Sequence, residues 1–129
     1  MEVIFLQEED VLLFFREEMK RFHSKPTIRD RKALDSALNA PKASFHGDYL
    51  MNIFEMAATH ARSISFNHPF LDGNKRVAAI SAVAFLELNG FRFFENHDEE
   101  LADKILALVE GSLSKPGLAK YFKENCRKS

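Results

Sequence analysis

His68-Pro69-Phe70-Leu71-Asp72-Gly73-Asn74-Lys75-Arg76 stands between two helical patterns, and the fold follows from how it joins them. Upstream, Tyr49 to about Phe66 carries apolar residues at Leu50, Ile53, Phe54, Ala57, Ala61 and Ile64, the spacing of one helix face. Downstream, Val77 to Leu88 is apolar almost all round, broken mainly by Ser81 and Glu87. A helix of that kind belongs at the centre of a domain. Pro69 and Gly73 interrupt the periodicity between the two, so the nine residues form a tight loop running into a buried helix.

Lys75 and Arg76 fall in the first turn of that helix, where the macrodipole is positive and backbone N–H groups lack partners. Cations there are unfavourable by roughly 0.3–1 kcal/mol each. An anion in the turn removes the conflict: free N–H groups, a close backbone approach at Gly73 and two cations suit a polyphosphate. Asp72 offers a hard oxygen ligand for Mg²⁺, an ion that binds through a carboxylate plus phosphates and keeps most of its waters. An imidazole such as His68 can take a proton from a hydroxyl near neutral pH. Taken singly, these residues also have ordinary roles: Asp72 as a helix N-cap, Gly73 and Asn74 as turn residues, Phe70 as a core anchor. Taken together, they point to phosphoryl or nucleotidyl transfer.

The pattern H-x-F-x-D-G-N-K-R over 68–76 resembles the signature of the Fic/Doc superfamily, H-x-F-x-[D/E]-G-N-G-R-x-x-R. It is closer to the Doc (death-on-curing) branch, because Lys75 stands where the second Gly would be and Ala79 where the final Arg would be. Length, flanking helices and the position of the motif are also Doc-like, so the resemblance covers nearly the whole chain. It implies the toxin of a toxin–antitoxin pair, which moves the γ-phosphate of ATP to a side-chain hydroxyl of elongation factor Tu. His68 would then be the base and Asp72 the Mg²⁺ ligand. The Gly73 backbone, Asn74, Lys75 and Arg76 would hold phosphates, while Phe70 fixes the loop. Pro41–Asp48 matches the superfamily's target flap in position, with Ser44, Phe45, His46 and Gly47 lining the approach; an ordinary interhelical loop is the other reading. Self-inhibited members carry a [S/T]-x-x-x-E-[G/N] helix. Glu110-Gly111 comes nearest here, but Leu106 stands where Ser or Thr is needed, so inhibition is expected in trans from an antitoxin. AMP transfer is the competing chemistry, and a catalytically silent binding module the competing class.

At 129 residues the chain is expected to be one domain, 1–129, large enough to bury about two-thirds of its unfolded surface. A net charge of −1 argues against a nucleic-acid partner, which would need clustered excess Lys and Arg. No apolar run approaches the ~20 residues of a membrane span, and Met-Glu-Val-Ile-Phe-Leu lacks the basic start of a signal peptide. Cys126 is the only cysteine, so no intrachain disulfide forms. A cytoplasmic protein is expected.

The remaining patterns predict an all-α bundle of about six helices around Val77–Leu88, with at most one tiny β element. Val3–Leu6 reads as a short strand and Phe91–Phe94 as its partner. Val11, Leu12, Phe15, Met19 and Phe22 mark an amphipathic helix over Glu8–Phe22, ended by Pro26, and a second helix covers Asp30–Leu38. Asp48 reads as the N-cap of the third helix, on which His60 is a structural or surface residue. Gly90 supplies a left-handed helix end. Another helix starts near Asp98, with Leu101, Ile105, Leu108 and Val109 inward. Ser114 followed by Pro116 opens the last, with Leu118 and Phe122 inward. His23 and His97 have no metal-ligand spacing.

Overall fold

Helices begin where side-chain oxygens can take the first unpaired N–H groups. The computed structural model, which describes residues 2–94 and 98–129, contains α1 (Glu8–Arg21), α2 (Arg31–Asn39), α3 (Ile53–Asn67), α4 (Asn74–Leu88), α5 (Asp98–Glu110) and α6 (Lys115–Glu124). Asp30 caps α2 by accepting from the Ala33 N–H, and Ser114 caps α6 by accepting from the Gly117 N–H. At α3, Asn52 and Glu55 exchange side-chain and backbone bonds in a capping box. That box overturns two expectations: α3 starts at Ile53 rather than Tyr49, and Asp48 does not cap it. The apolar spacing at Tyr49 and Leu50 runs on by chance beyond the true cap. His97 lies outside the described residues.

The β structure is minimal but differs from the expected pairing. β1 (Ser44–Phe45) and β2 (Asp48–Tyr49) form a hairpin, while β3 (Phe91–Phe93) pairs antiparallel with β4 (Cys126–Lys128). Val3–Leu6 is not a strand. Its place is decided by Asn89, whose side-chain amide accepts from the Ile4 N–H and donates to the Ile4 C=O, both at 2.8 Å. One side chain thus supplies the single rung a strand partner would have offered, and the β3 edge is left to the C-terminal residues.

Burial is shared between α3 and α4, which the loop 68–73 joins into a packed pair. Around this pair, α3 also meets α2, α5 and α6, whereas α4 meets α1, α5 and β3. Small buried residues on both helices (Ala57, Ala58 and Ala61; Ala78, Ser81 and Ala82) allow their axes to lie close. Large side chains fill the rest: Phe15, Met56, Ile64, Phe70, Phe85, Ile105, Leu118 and Phe122 are all fully buried. Each contributes roughly 1.5–3 kcal/mol by leaving water. Among the described residues, no helix is long and apolar enough to cross a membrane.

His60 is wholly enclosed against Phe85, its ring 5.0 Å away, and neither ring nitrogen has a hydrogen-bond partner among the described residues. Burial, with the charge of Lys42 adding, pushes its pKa down to about 4. It is a neutral core residue.

Candidate active site

The loop after α3 begins with an unusual helix end. His68 takes the left-handed conformation (φ 49, ψ 56) that glycine normally supplies, at a cost of about 1 kcal/mol. The helix carbonyls left free there are taken by a residue 38 and 39 positions earlier. Arg29 donates from Nε to the His68 C=O at 2.6 Å and from Nη2 to the Asn67 C=O at 2.8 Å. The same strap of chain holds the next residues by its backbone: the N–H groups of Arg29 and Asp30 both reach the Pro69 C=O, and the Leu71 N–H reaches the Thr27 C=O. Ile28 and Phe70 form an isolated antiparallel bridge. Phe70 is then sealed beneath, stacked on Phe15 with ring centroids 3.9 Å apart.

Asn74 closes the loop from inside. Its Oδ1 accepts from the Phe70 N–H and its Nδ2 donates to the Phe70 C=O, which determines which end of the amide is which. The remaining Nδ2 hydrogen faces His68 Nδ1 at 3.2 Å, so Nδ1 accepts and the neutral ring carries its hydrogen on Nε2. Asn74 is buried, and this side chain is committed to the loop rather than to the surface.

The outer face is charged and open. Leu71, Asp72, Lys75 and Arg76 are exposed. Gly73, not Asp72, is the N-cap of α4, and no side chain caps that helix; the Asp72 carboxylate accepts instead from the Gly73 N–H at 2.8 Å. The first-turn N–H groups of α4 therefore have no side-chain cap, and two exposed cations stand in the same turn. Arg76 leans on the end of α1, its Nε 3.6 Å from Glu18 Oε2 and its guanidinium 4.2 Å over the Phe22 ring. Lys75 makes no ion pair among the described residues. Gly73 has positive φ, and a Cβ there would stand 2.6 Å from the Met19 methyl, so the close approach it permits is that of α1. Among the described residues no three His, Cys, Asp or Glu side chains gather as a metal cage. A single exposed carboxylate beside free N–H groups nevertheless suits Mg²⁺, which takes its other ligands from phosphates and water.

His68, Phe70, Asp72, Gly73, Asn74, Lys75 and Arg76 thus come together. Ser44, Phe45, His46 and Gly47 do not join them. The hairpin precedes the N-terminus of α3, whereas His68 follows its other end about 22 Å away at 1.5 Å per residue. Its tie to the body is Tyr49 against Phe5, which packs on Phe85 in the last turns of α4. The sequence reading missed the strap at Thr27–Asp30 and the α1 contacts of Glu18, Met19 and Phe22. The one signal for the strap was a lone Arg29 preceding an N-cap, and nothing in local pattern names a partner so distant.

The family model described as Fic/DOC family matches residues 5–86. Toxin Doc of Mycolicibacterium smegmatis is 33% identical over 107 residues, covering 79% of this chain and 77% of that protein. Protein kinase doc of Escherichia phage P1 is 26% identical over 114 residues, covering 88% and 89% respectively. The matched span contains the strap, α3, all but the last two residues of α4 and every residue of the loop, and on this ground the chain belongs to the Fic/DOC family, in its Doc branch.

Proposed function

We propose that this chain is the toxin of a toxin–antitoxin pair, a Doc-type kinase of the cytoplasm. It would transfer the γ-phosphate of ATP to a side-chain hydroxyl of elongation factor Tu and so halt translation. The observation that carries this reading is the gathering of His68, Asp72, Lys75 and Arg76 at the uncapped start of α4. The names of the relatives, one a toxin and one a protein kinase, support it.

In this reading the acceptor hydroxyl gives its proton to His68 as its oxygen bonds to the γ-phosphorus. The bond from that phosphorus to the bridging oxygen breaks, and ADP leaves. While Asn74 donates to Nδ1 the hydrogen sits on Nε2, so Nε2 becomes the basic nitrogen in the tautomer reached when that long contact opens. Lys75, Arg76 and the first N–H groups of α4 hold the phosphates, and Asp72 holds Mg²⁺, which neutralises phosphate charge when bound. The Asn74 side chain keeps the loop closed, while its N–H belongs to the phosphate turn. Lys75 fills the turn that glycine would leave open, which favours presenting the γ- rather than the α-phosphorus. Inhibition comes from an antitoxin binding in trans, so the chain expressed alone slows bacterial growth.

ATP labelled separately at the α- and γ-phosphates tests the reaction with purified elongation factor Tu and Mg²⁺. The expected result is γ-label on the target. Arrival of α-label replaces phosphate transfer by AMP transfer, and absence of both leaves a binding module.

A further inference from the structure

We infer that Arg29 is a positioning residue for the reaction, aiming the His68 imidazole by holding the peptide planes on both sides of its α-carbon. The inference rests on His68 being the base.

The direction in which a side chain leaves the backbone is set by the two peptide units flanking its α-carbon. At His68 the preceding unit carries the Asn67 carbonyl, and the following unit carries its own. One guanidinium binds both, at 2.8 and 2.6 Å. A planar fork can bridge two successive carbonyls from one side, whereas an ammonium is a single point of charge. The cation also sits at the negative end of α3, where it is favoured. Arg29 is itself held from behind, since its N–H donates to the Pro69 C=O at 2.8 Å. Little else orients the ring. Its left-handed backbone is intrinsically disfavoured, and its own polar contact is the long one to Asn74. Arg29 is exposed and buries little. Its removal therefore leaves the core intact while freeing the ring to swing.

The experiment compares Arg29→Ala and Arg29→Lys with the unmodified chain in the γ-phosphate transfer assay, measuring kcat and the KM for ATP separately, with thermal melting alongside. A displaced base slows chemistry without touching the phosphate turn. Arg29→Ala should lose about 10- to 100-fold in kcat with an ATP KM that changes less than about threefold. Arg29→Lys should fall between, since it can reach one carbonyl. Millimolar guanidinium chloride should restore part of the Arg29→Ala rate, and the same concentration of sodium chloride should not. An unchanged kcat overturns the inference. So does a joint loss of kcat, ATP binding and melting temperature, the mark of a merely structural residue. His68→Ala run in parallel separates the two readings. If it is inactive while Arg29→Ala is fully active, the positioning role alone fails. If it transfers normally, the function proposed above fails and takes this inference with it.

Discussion

Two short connections in this chain carry the same residue pair in the same backbone state. The β1–β2 hairpin has His46 at φ 51 and Gly47 at φ 84; the motif loop has His68 at φ 49 and Gly73 at φ 82. Their surroundings are opposite. Around Gly47 nothing lies within 4 Å of where a Cβ would stand, and residues 43–50 are all exposed. Around the motif loop, Met19 closes on Gly73, Phe15 on Phe70, and the Thr27–Asp30 strap on Asn67, His68, Pro69 and Leu71. A left-handed residue is by itself only a turn. It becomes part of a site where distant segments converge and hold its side chain in one direction.

The largest contrast should appear in transfer. His68→Ala is expected to lose at least about 10²-fold in rate while remaining folded and still binding nucleotide, and His46→Ala is expected to keep full activity. Loss of transfer in His46→Ala would bring the hairpin to the acceptor and erase the contrast.

Stability should separate the glycines. Gly47→Ala meets only backbone strain, about 1 kcal/mol. Gly73→Ala adds displacement of the Met19 methyl, for a total of about 2–4 kcal/mol. Equal denaturation midpoints for the two variants would mean that Met19 yields freely and that α1 does not brace the loop.

A third histidine sharpens the comparison through pH. His60 has its folded pKa near 4, below the ordinary 6.5, so the unfolded chain takes up the proton first. Its contribution is complete above about pH 6.5, falls away as pH drops toward about 4, and is constant below. The loss amounts to about 3 kcal/mol. His60→Leu should flatten that part of the stability profile, as read by urea denaturation across the range, whereas His46→Ala should not. A profile unaltered by His60→Leu would assign the acid sensitivity to other groups.

The smallest effect concerns Lys75, the loop cation without an ion pair among the described residues. Lys75→Gly should weaken γ-phosphate transfer by about tenfold, the worth of one charge-assisted contact. Adding Ala79→Arg should act non-additively, since the two positions lie one helical turn apart. Strict additivity in the double variant would show that they do not share a phosphate.

Long amphipathic segments were legible in the sequence because their periodicity reports burial directly: α1, α2, α4 and α6 lie where apolar spacing, Pro26, Gly90 and the Ser114–Pro116 pair indicate. The start of α3 was misread, although Asn52 with Glu55 three residues on was the signal to weigh over the accidental fit of Tyr49 and Leu50. Strands of two or three residues are too short for alternation to register, so the β3–β4 pairing could not be foreseen. The charged face of the site was legible because its residue types carry the chemistry. Its support was not. The strap works through N–H and C=O groups that every residue possesses, and the packing of Met19 and Glu18 against the loop depends on how α1 crosses it.

Two asparagines make the same two-point ring with a backbone amide, Asn89 around Ile4 and Asn74 around Phe70. Their opening need not be equally easy. The Ile4 ring lies at an exposed residue near the chain's start, outside any helix or strand, so its amide should exchange with solvent deuterium through a local, low-energy excursion. The Phe70 ring sits over the Phe15 stack and under the strap, so its amide should exchange only when α3 and α4 part. Opening of the Ile4 ring at one end of α4 would then leave the other closed, and the loop keeps its shape between turnovers.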